Sequence, residues 1–175
     1  MQNSIINKFV TPIVVMFLLM AATSCEKKAS KPPYNLDRPT KTCISIPYEE
    51  FGGVKAIPVK LNGVTMNMIY DTGCSGLHIS LNELQTLAKN GKVSQEDVLG
   101  VSYSTIADGS IVQNGLINIK QIEIGSGDEL IKLEDVQASV ALNQDAPILL
   151  GNAVLDELAS VEVDNVEKTI NFYKK

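Results

Sequence analysis

A segment that turns back on itself and ends at an acid is the feature that most constrains this chain. Residues 54–61 and 64–68 each alternate between apolar and polar side chains, and Asn62-Gly63 lies between them. Asn-Gly between two such runs is the strongest short hairpin signal, because both turn residues must accept positive φ. The second run stays apolar to Tyr70 and then meets Asp71-Thr72-Gly73. The sequence therefore predicts a hairpin whose second strand delivers a carboxylate to a tight turn.

The loop after this strand is built from small residues. Thr72 can hydrogen-bond locally, Gly73 allows a tight turn beside the acid, and Cys74 and Ser75 complete the loop. Asp-Thr-Gly also suits an ordinary strand-to-turn junction, so three residues alone do not establish a catalytic site. Pro58 has no N–H to donate, which places the first strand of the hairpin at a sheet edge.

Composition narrows the function classes. The 175 residues are 45% hydrophobic and 20% charged, which fits one globular domain with accessory segments. The chain has no Trp and few aromatic residues, so the core must rest on Val, Ile, Leu and Met. The net charge is −5 and the body has no cluster of Lys or Arg, which argues against a nucleic-acid partner. With one His and no Cys-x-x-Cys spacing, we predict neither a metal nor a cofactor.

The N-terminal segment has the pattern of an export leader. Lys8 precedes an apolar run of residues 9–22, which is too short to span a bilayer but suits a signal peptide. The run ends in Ala22-Thr23-Ser24-Cys25, which resembles a bacterial lipobox in which the cysteine receives lipid. An ordinary signal peptide with an incidental cysteine is the alternative. We expect a signal peptide over residues 1–24, a polar tether over 25–43, and lipid on Cys25 that holds the protein outside the cytoplasm at a bacterial membrane.

Two further cysteines fall in the predicted domain. In an exported protein Cys43 and Cys74 can form a disulfide. They can equally remain two free thiols, or Cys43 can pair between molecules. Sequence does not give the Cα separation that would decide among these alternatives.

The rest of the chain predicts a mostly-β domain. A capping box at Ser80 and Glu83 begins a helix that Gly91 ends, and residues 94–97 start a short helical turn. His78 lies at a strand position, where a half-exposed strand residue is the expected role. Further strands are predicted at residues 77–79, 103–106, 111–112, 115–119, 121–124, 136–140, 147–152, 161–164 and 168–173, with a second helix at 153–159. Many short strands with glycine turns favour a closed or partly closed β-barrel with one or two short helices.

Three motifs in this order resemble the retropepsin-like aspartic proteases, the single-domain branch that includes retroviral and bacterial members. The first is Asp71-Thr72-Gly73 after its apolar strand, followed by a small-residue turn, a strand and a helix. The second is Ala107-Asp108-Gly109-Ser110, which stands where the family has its flap turn. The third is Leu149-Leu150-Gly151-Asn152, which resembles the apolar-apolar-glycine motif and its following helix. The resemblance covers residues 44–175.

The resemblance implies both a role for each motif and a partner. Asp71 would be the catalytic acid, the loop from Thr72 to Ser75 would position it, residues 107–110 would close over substrate, and residues 149–152 would give structural support. Since the chain has one Asp-Thr-Gly, a two-fold homodimer would be needed to pair Asp71 with its copy, with edge strands near Cys43 and Phe172 as candidate contacts. The expected substrate is a polypeptide. No cofactor is implied.

Two residues depart from the family pattern. Cys74 stands where Ala or Ser is usual, and Asn152 stands where the retroviral version has Arg. These departures leave an alternative open, in which a catalytically weak or inactive lipoprotein of the same fold binds a peptide or a protein.

Overall fold

A computed structural model of the chain describes residues 42–127 and 129–175, and the structural statements below concern these residues. The predicted signal peptide, the lipid-acceptor Cys25 and nearly all of the tether lie outside them. None of the helices in the described ranges is long and apolar enough to cross a membrane.

The described residues form β-strands joined by tight turns, with two short α-helices. The strands are β1 (Cys43–Pro47), β2 (Glu49–Phe51), β3 (Val54–Leu61), β4 (Val64–Tyr70), β5 (Leu77–Ile79), β6 (Val98–Thr105), β7 (Ile111–Ser126), β8 (Glu129–Val140), β9 (Leu149–Leu150), β10 (Ser160–Asp164) and β11 (Thr169–Tyr173). The helices are α1 (Leu81–Lys89) and α2 (Asn152–Leu155), and a single 3-10 turn covers Gln95–Asp97. This confirms the mostly-β class with one or two short helices.

The larger sheet closes on itself. Its strand order is β2-β3-β4-β9-β5-β8-β7-β6, and β3 also pairs with β7. A continuous ring of pairings is therefore formed by six strands: β3, β4, β9, β5, β8 and β7. This ring gives the expected barrel its closure. A second sheet has the order β1-β11-β10, with both pairs antiparallel.

Branched and unbranched aliphatic side chains fill the interior, as the composition predicts. The hairpin β3–β4 contributes Ile57, Val59, Leu61 and Met68, all fully buried. The paired long strands β7 and β8 add a second set: Ile117, Ile119, Ile122, Ile124, Ile131, Ala138 and Val140. Burial alternates along most of each strand, as the pleat of a sheet requires, but in β7 the buried face changes between Ile119 and Ile122.

The predicted edge position of Pro58 is wrong. Its strand pairs with β4 on one side, and on the other side with β2 through Ala56 and with β7 from Val59 onward. Pro58 falls where the outer neighbour changes from β2 to β7. A residue without an N–H is tolerated there because neither neighbour requires that donor.

Several boundaries differ from the prediction; for example, the strand predicted at 147–152 is only Leu149–Leu150. The separate strands predicted at 115–119 and 121–124 are parts of the single strand β7, and the helix predicted at 153–159 ends as an α-helix at Leu155. Lys120, which separates the two apolar runs, points to solvent and forms an ion pair with Asp97 at 3.0 Å. β7 continues past Lys120 because its pairing with β8 keeps one register from Gly115 to Ser126.

Candidate active site

Asp71 lies at the end of β4, where three strands meet. The two-residue strand β9 lies between β4, to which it is parallel, and β5, to which it is antiparallel. The Asp71 N–H donates to the carbonyl of Leu150 at 3.1 Å, and the Ile69 N–H donates to the carbonyl of Ile148 at 2.9 Å. The backbone on both sides of the acid is thus fixed to β9.

The turn after Asp71 orients its carboxylate. The Gly73 N–H donates to Asp71 Oδ1 at 2.8 Å, and the Cys74 N–H donates to the Asp71 carbonyl at 3.2 Å. A Cβ on Gly73 would lie 3.1 Å from the same Oδ1, so the small residue leaves room for the carboxylate. The Asp71 side chain is half-buried, while Thr72 and Gly73 are exposed. One carboxylate oxygen is therefore held by the loop and the group still reaches solvent.

Gly151 packs against this loop, and Asn152 hydrogen-bonds to its backbone. A Cβ on Gly151 would overlap the carbonyl oxygens of Cys74 and Gly76, so only glycine allows the two backbones to approach this closely. The Asn152 N–H donates to the Cys74 carbonyl at 2.9 Å, and its side-chain Nδ2 donates to the Thr72 carbonyl at 3.1 Å. The structure therefore brings the predicted support motif directly against the predicted catalytic loop.

Cys43 and Cys74 are both free thiols, so of the three alternatives left open by the sequence the bridge between them is not formed. The Cys74 Sγ donates to the carbonyl of Gly76 at 3.3 Å and so serves the loop itself. Cys43 pairs in register with Tyr173 in the smaller sheet. The thiol of Cys74 therefore takes the place of a hydroxyl as an internal donor of the turn.

A cleft of about 660 Å³ opens above Asp71. Its apolar wall comes from five side chains: Val54, Ile69, Pro147, Leu149 and Val163. Its polar lining, besides Asp71, comes from Lys55, Tyr70 and Asn165. Partial burial raises the pKa of the Tyr70 phenol, so that group stays neutral beside the acid. The cleft is therefore lined mainly by apolar side chains with one carboxylate among them, as ligand-binding clefts commonly are.

The predicted flap turn joins β6 to β7. The Ile106 N–H donates to the Ser110 carbonyl at 3.0 Å, Gly109 has a φ of +85°, and the Asp108 carboxylate accepts from both the N–H and the Oγ of Ser110. These bonds with Ser110 lower the pKa of Asp108, whose role is turn formation, as the sequence indicates. Ala107 and its neighbours are exposed and do not line the cleft that holds Asp71 in the described structure.

Comparison with known proteins decides the family. Residues 57–157 match the family profile of the gag-polyprotein putative aspartyl proteases. The chain belongs to the retropepsin-like aspartic proteases. Its fold is similar to that of a retropepsin-like aspartic protease from Rickettsia conorii, with a TM-score of 0.53 and 16% identity over 76% of this chain and 90% of the other. At that identity the likeness concerns the fold alone. No functionally curated protein matches the chain in sequence.

Sequence reasoning missed part of this retropepsin-like cleft. Lys55, Val163 and Asn165 reach the groove from segments that carry no family motif, and Asn165 is more than ninety residues from Asp71 along the chain. Only the strand pairing brings them together. The alternation of Val161 and Val163 predicts a strand but does not tell which face meets the acid.

His78 has a structural role in β5, as predicted. Its Nδ1 lies 2.7 Å from the Oγ of Ser139 on the neighbouring strand, and burial lowers the pKa of the imidazole. The ring is therefore neutral near pH 7 and bridges β5 to β8. In the described ranges no group of three or more His, Cys, Asp or Glu side chains is arranged to hold a metal ion.

Proposed function

We propose that this retropepsin-like protease is an aspartic endopeptidase whose site is completed by a second copy of the chain. The observation that carries the proposal is the setting of Asp71: a half-buried carboxylate, held through one oxygen by the Gly73 N–H, that lines a largely apolar cleft. Hydrolysis of a peptide bond needs this acid, a second acid and a water molecule between them.

The chemistry follows from two carboxyl groups that share one proton. Two acids at hydrogen-bond range do not both ionise, so one is charged and the other is protonated. The charged group takes a proton from water as the water oxygen attacks the peptide carbonyl carbon. The protonated group donates to the carbonyl oxygen, and the amine leaves with a proton as the tetrahedral intermediate collapses. Since the pair must hold one proton, we expect a pH optimum on the acidic side of neutral.

The second acid has to come from another chain, because this one has a single Asp-Thr-Gly. The expectation that Phe172 lies on an edge strand is wrong: β11 is the middle strand of its sheet, pairs on both sides within the chain, and buries Phe172 completely. The outer strands of this sheet are β1 and β10. Val163 in β10 and the adjacent Asn165 line the cleft of Asp71, whereas β1 borders a separate groove.

We therefore assign the dimer contact to the outer edge of β10. A strand edge exposes alternate N–H and C=O groups that an antiparallel copy can pair with. Two-fold pairing of β10 with its copy would extend the sheet across the axis and bring two Asp71 clefts to the same side of the contact. Because β11 already completes the sheet within each chain, the termini need not be exchanged between subunits.

A peptide-library digestion tests the proposal. Wild-type protein should cleave peptides, and Asp71→Asn should lose at least about a thousandfold in kcat/KM while it still sediments as a dimer. The matched control is Asp156→Asn, which makes the same change at an exposed carboxyl outside the cleft. Unchanged hydrolysis by Asp71→Asn would remove the mechanism. A purely monomeric, inactive wild type that still binds peptide would instead indicate a binding module.

We also propose lipid attachment at Cys25, which would hold the domain at a bacterial membrane outside the cytoplasm. The support is the leader pattern of residues 1–24 and the polar, proline-bearing spacer that follows. Metabolic labelling with a fatty-acid analogue should mark wild type and not Cys25→Ser. Equal labelling of both would contradict this assignment.

A further inference from the structure

The cleft of Asp71 carries a positive charge that the peptidase mechanism does not use. Lys55 lines the cleft, and it is the only Lys or Arg among the described residues that does so. It lies in β3 next to Ala56, which pairs with Ile69 of β4. Continuing that register places Lys55 beside Tyr70, the residue that precedes Asp71. Lys55 and Asp71 therefore lie on neighbouring strands of one cleft. A peptide whose bond is held at Asp71 would place its neighbouring residues near the Lys55 ammonium group.

An aromatic platform holds the ammonium group at the cleft. The Lys55 Nζ lies 5.4 Å from the centre of the Tyr48 ring, within cation–π range. Tyr48 is 7% exposed, and its hydroxyl donates to Asn165 Oδ1 at 3.2 Å, which fixes the ring relative to the cleft wall. The lysine side chain thus has an aromatic partner that restrains its position, and its charge interacts with Glu50 without forming an ion pair with it.

The nearby acid is already paired elsewhere. Glu50 stands opposite Lys55 in the β2–β3 register, but its Oε2 accepts from the Lys168 Nζ at 3.0 Å. Lys168 also lies 5.6 Å from the Tyr48 ring centre. Two cations and one carboxylate therefore surround this ring and leave a net positive charge. No carboxylate oxygen in the described structure lies within ion-pair distance of Lys55.

We propose that Lys55 forms a subsite for an acidic side chain of the substrate, one to three residues from the scissile bond. This inference rests on the proposed peptidase function and specifies its substrate class. An Asp or Glu on the peptide would find a restrained ammonium group in a mainly apolar groove, while the ion pair of Glu50 is made with Lys168. The subsite favours acidic peptides over neutral ones, and it disfavours basic peptides.

Paired peptides that differ only by Glu, Gln or Lys at positions within three residues of the cut site test this subsite. Wild type should prefer Glu to Gln by about twofold to fivefold in kcat/KM at one position, the upper part of the range expected for a partly exposed ion pair. Lys55→Gln should bring that ratio close to one, and Lys55→Glu should shift the preference to Lys. Lys60→Gln is the matched control, since Lys60 lies on the same strand, pairs with Glu123 and faces another groove.

A binding measurement separates failure of the subsite from failure of the proposed function. The same peptides are titrated against Asp71→Asn with and without Lys55→Gln, by fluorescence anisotropy. If Asp71→Asn binds the Glu peptide better than the Gln peptide only when Lys55 is present, the subsite is supported. If wild type at the same time hydrolyses none of these peptides, the peptidase proposal is overturned. Hydrolysis with the same Glu-to-Gln ratio in wild type and Lys55→Gln would overturn the subsite. Loss of the preference in Lys60→Gln as well would also overturn it, since the effect would then be one of general charge.

Discussion

The contact between Gly151 and the loop after Asp71 allows a quantitative prediction. Replacing Gly151 with Ala puts a methyl group into space occupied by the carbonyl oxygens of Cys74 and Gly76. Neither backbone is free to move away, because the Asn152 and Ala153 N–H groups donate to the Cys74 and Ser75 carbonyls at 2.9 and 3.0 Å. The substitution must therefore either compress the contact or break these bonds.

The expected cost follows from these two alternatives. Overpacking of a tight site costs about 1–3 kcal/mol, and each lost backbone hydrogen bond costs about 1 kcal/mol. We expect Gly151→Ala to lower the free energy of unfolding by about 3 kcal/mol, a large part of the roughly 5–15 kcal/mol of a typical domain. With a urea m-value of about 2 kcal/mol/M, the midpoint should fall by about 1.5 M.

Urea unfolding followed by circular dichroism measures this effect. Gly76→Ala is the matched control, since a Cβ there meets no atom within 4 Å, and it should change stability by less than about 0.5 kcal/mol. Peptidase activity should fall in Gly151→Ala even in the absence of urea, because the loop that orients Asp71 is displaced. Equal stability of the two variants would refute the close-approach reasoning.

Three further predictions concern the same loop and one distant ion pair. Asn152→Ala removes the side-chain bond to the Thr72 carbonyl and should cost about 1 kcal/mol and threefold to tenfold in kcat/KM; an unaltered kcat/KM would contradict the supporting role. Cys74→Ser should stabilise the protein by about 0.5 kcal/mol in urea unfolding, since a hydroxyl is a better donor to the Gly76 carbonyl than a thiol; a loss above about 1 kcal/mol would contradict this. Asp97 has its pKa lowered by the Ser94 N–H and by Lys120, so its stabilisation is full above the ordinary value of 3.8 and is lost as the pH falls through the lower folded value. Asp97→Asn should therefore flatten the acid limb of stability against pH, and an unchanged limb would contradict the assignment.

Local rules in the sequence were sufficient where the structure depends on neighbouring residues. Asn62 and Gly63 have φ values of +48° and +84°, as a two-residue turn of this kind requires, and the strands on either side pair as predicted. The capping box at the start of α1 also forms: the Ser80 N–H donates to Glu83 Oε2, and Ser80 Oγ accepts from the Asn82 N–H, both at 3.0 Å. In each case the residues that set the geometry are adjacent in sequence.

Long-range pairing decided what the sequence could not show. The position of Pro58 depends on which strands flank β3, and those strands come from both earlier and later parts of the chain. The central place of β11 depends on β1, more than 120 residues away, pairing with it in the same chain. The cleft wall likewise combines Lys55 with Asn165 through Tyr48. Neither the periodicity of the sequence nor any motif in it indicates such long-range contacts.

The candidate site was predictable in its motifs and not in its surroundings. Asp71, the loop that follows it and Gly151 were singled out from sequence, and the structure packs Gly151 against that loop and bonds Asp71 to the neighbouring Leu150. That these residues perform hydrolysis is the central proposal. It depends on one acid per chain meeting its copy across a two-fold axis.

A subunit-mixing experiment tests this claim most directly. Wild-type protein is incubated with a ninefold excess of Asp71→Asn until subunits exchange, and peptide cleavage is measured per wild-type chain. If two Asp71 residues are needed, random pairing leaves about one tenth of the wild-type chains in active dimers, so activity should fall about tenfold. An equal excess of an unrelated protein should leave it unaffected. Activity that stays constant per wild-type chain would show that each chain acts alone, and would contradict the shared site.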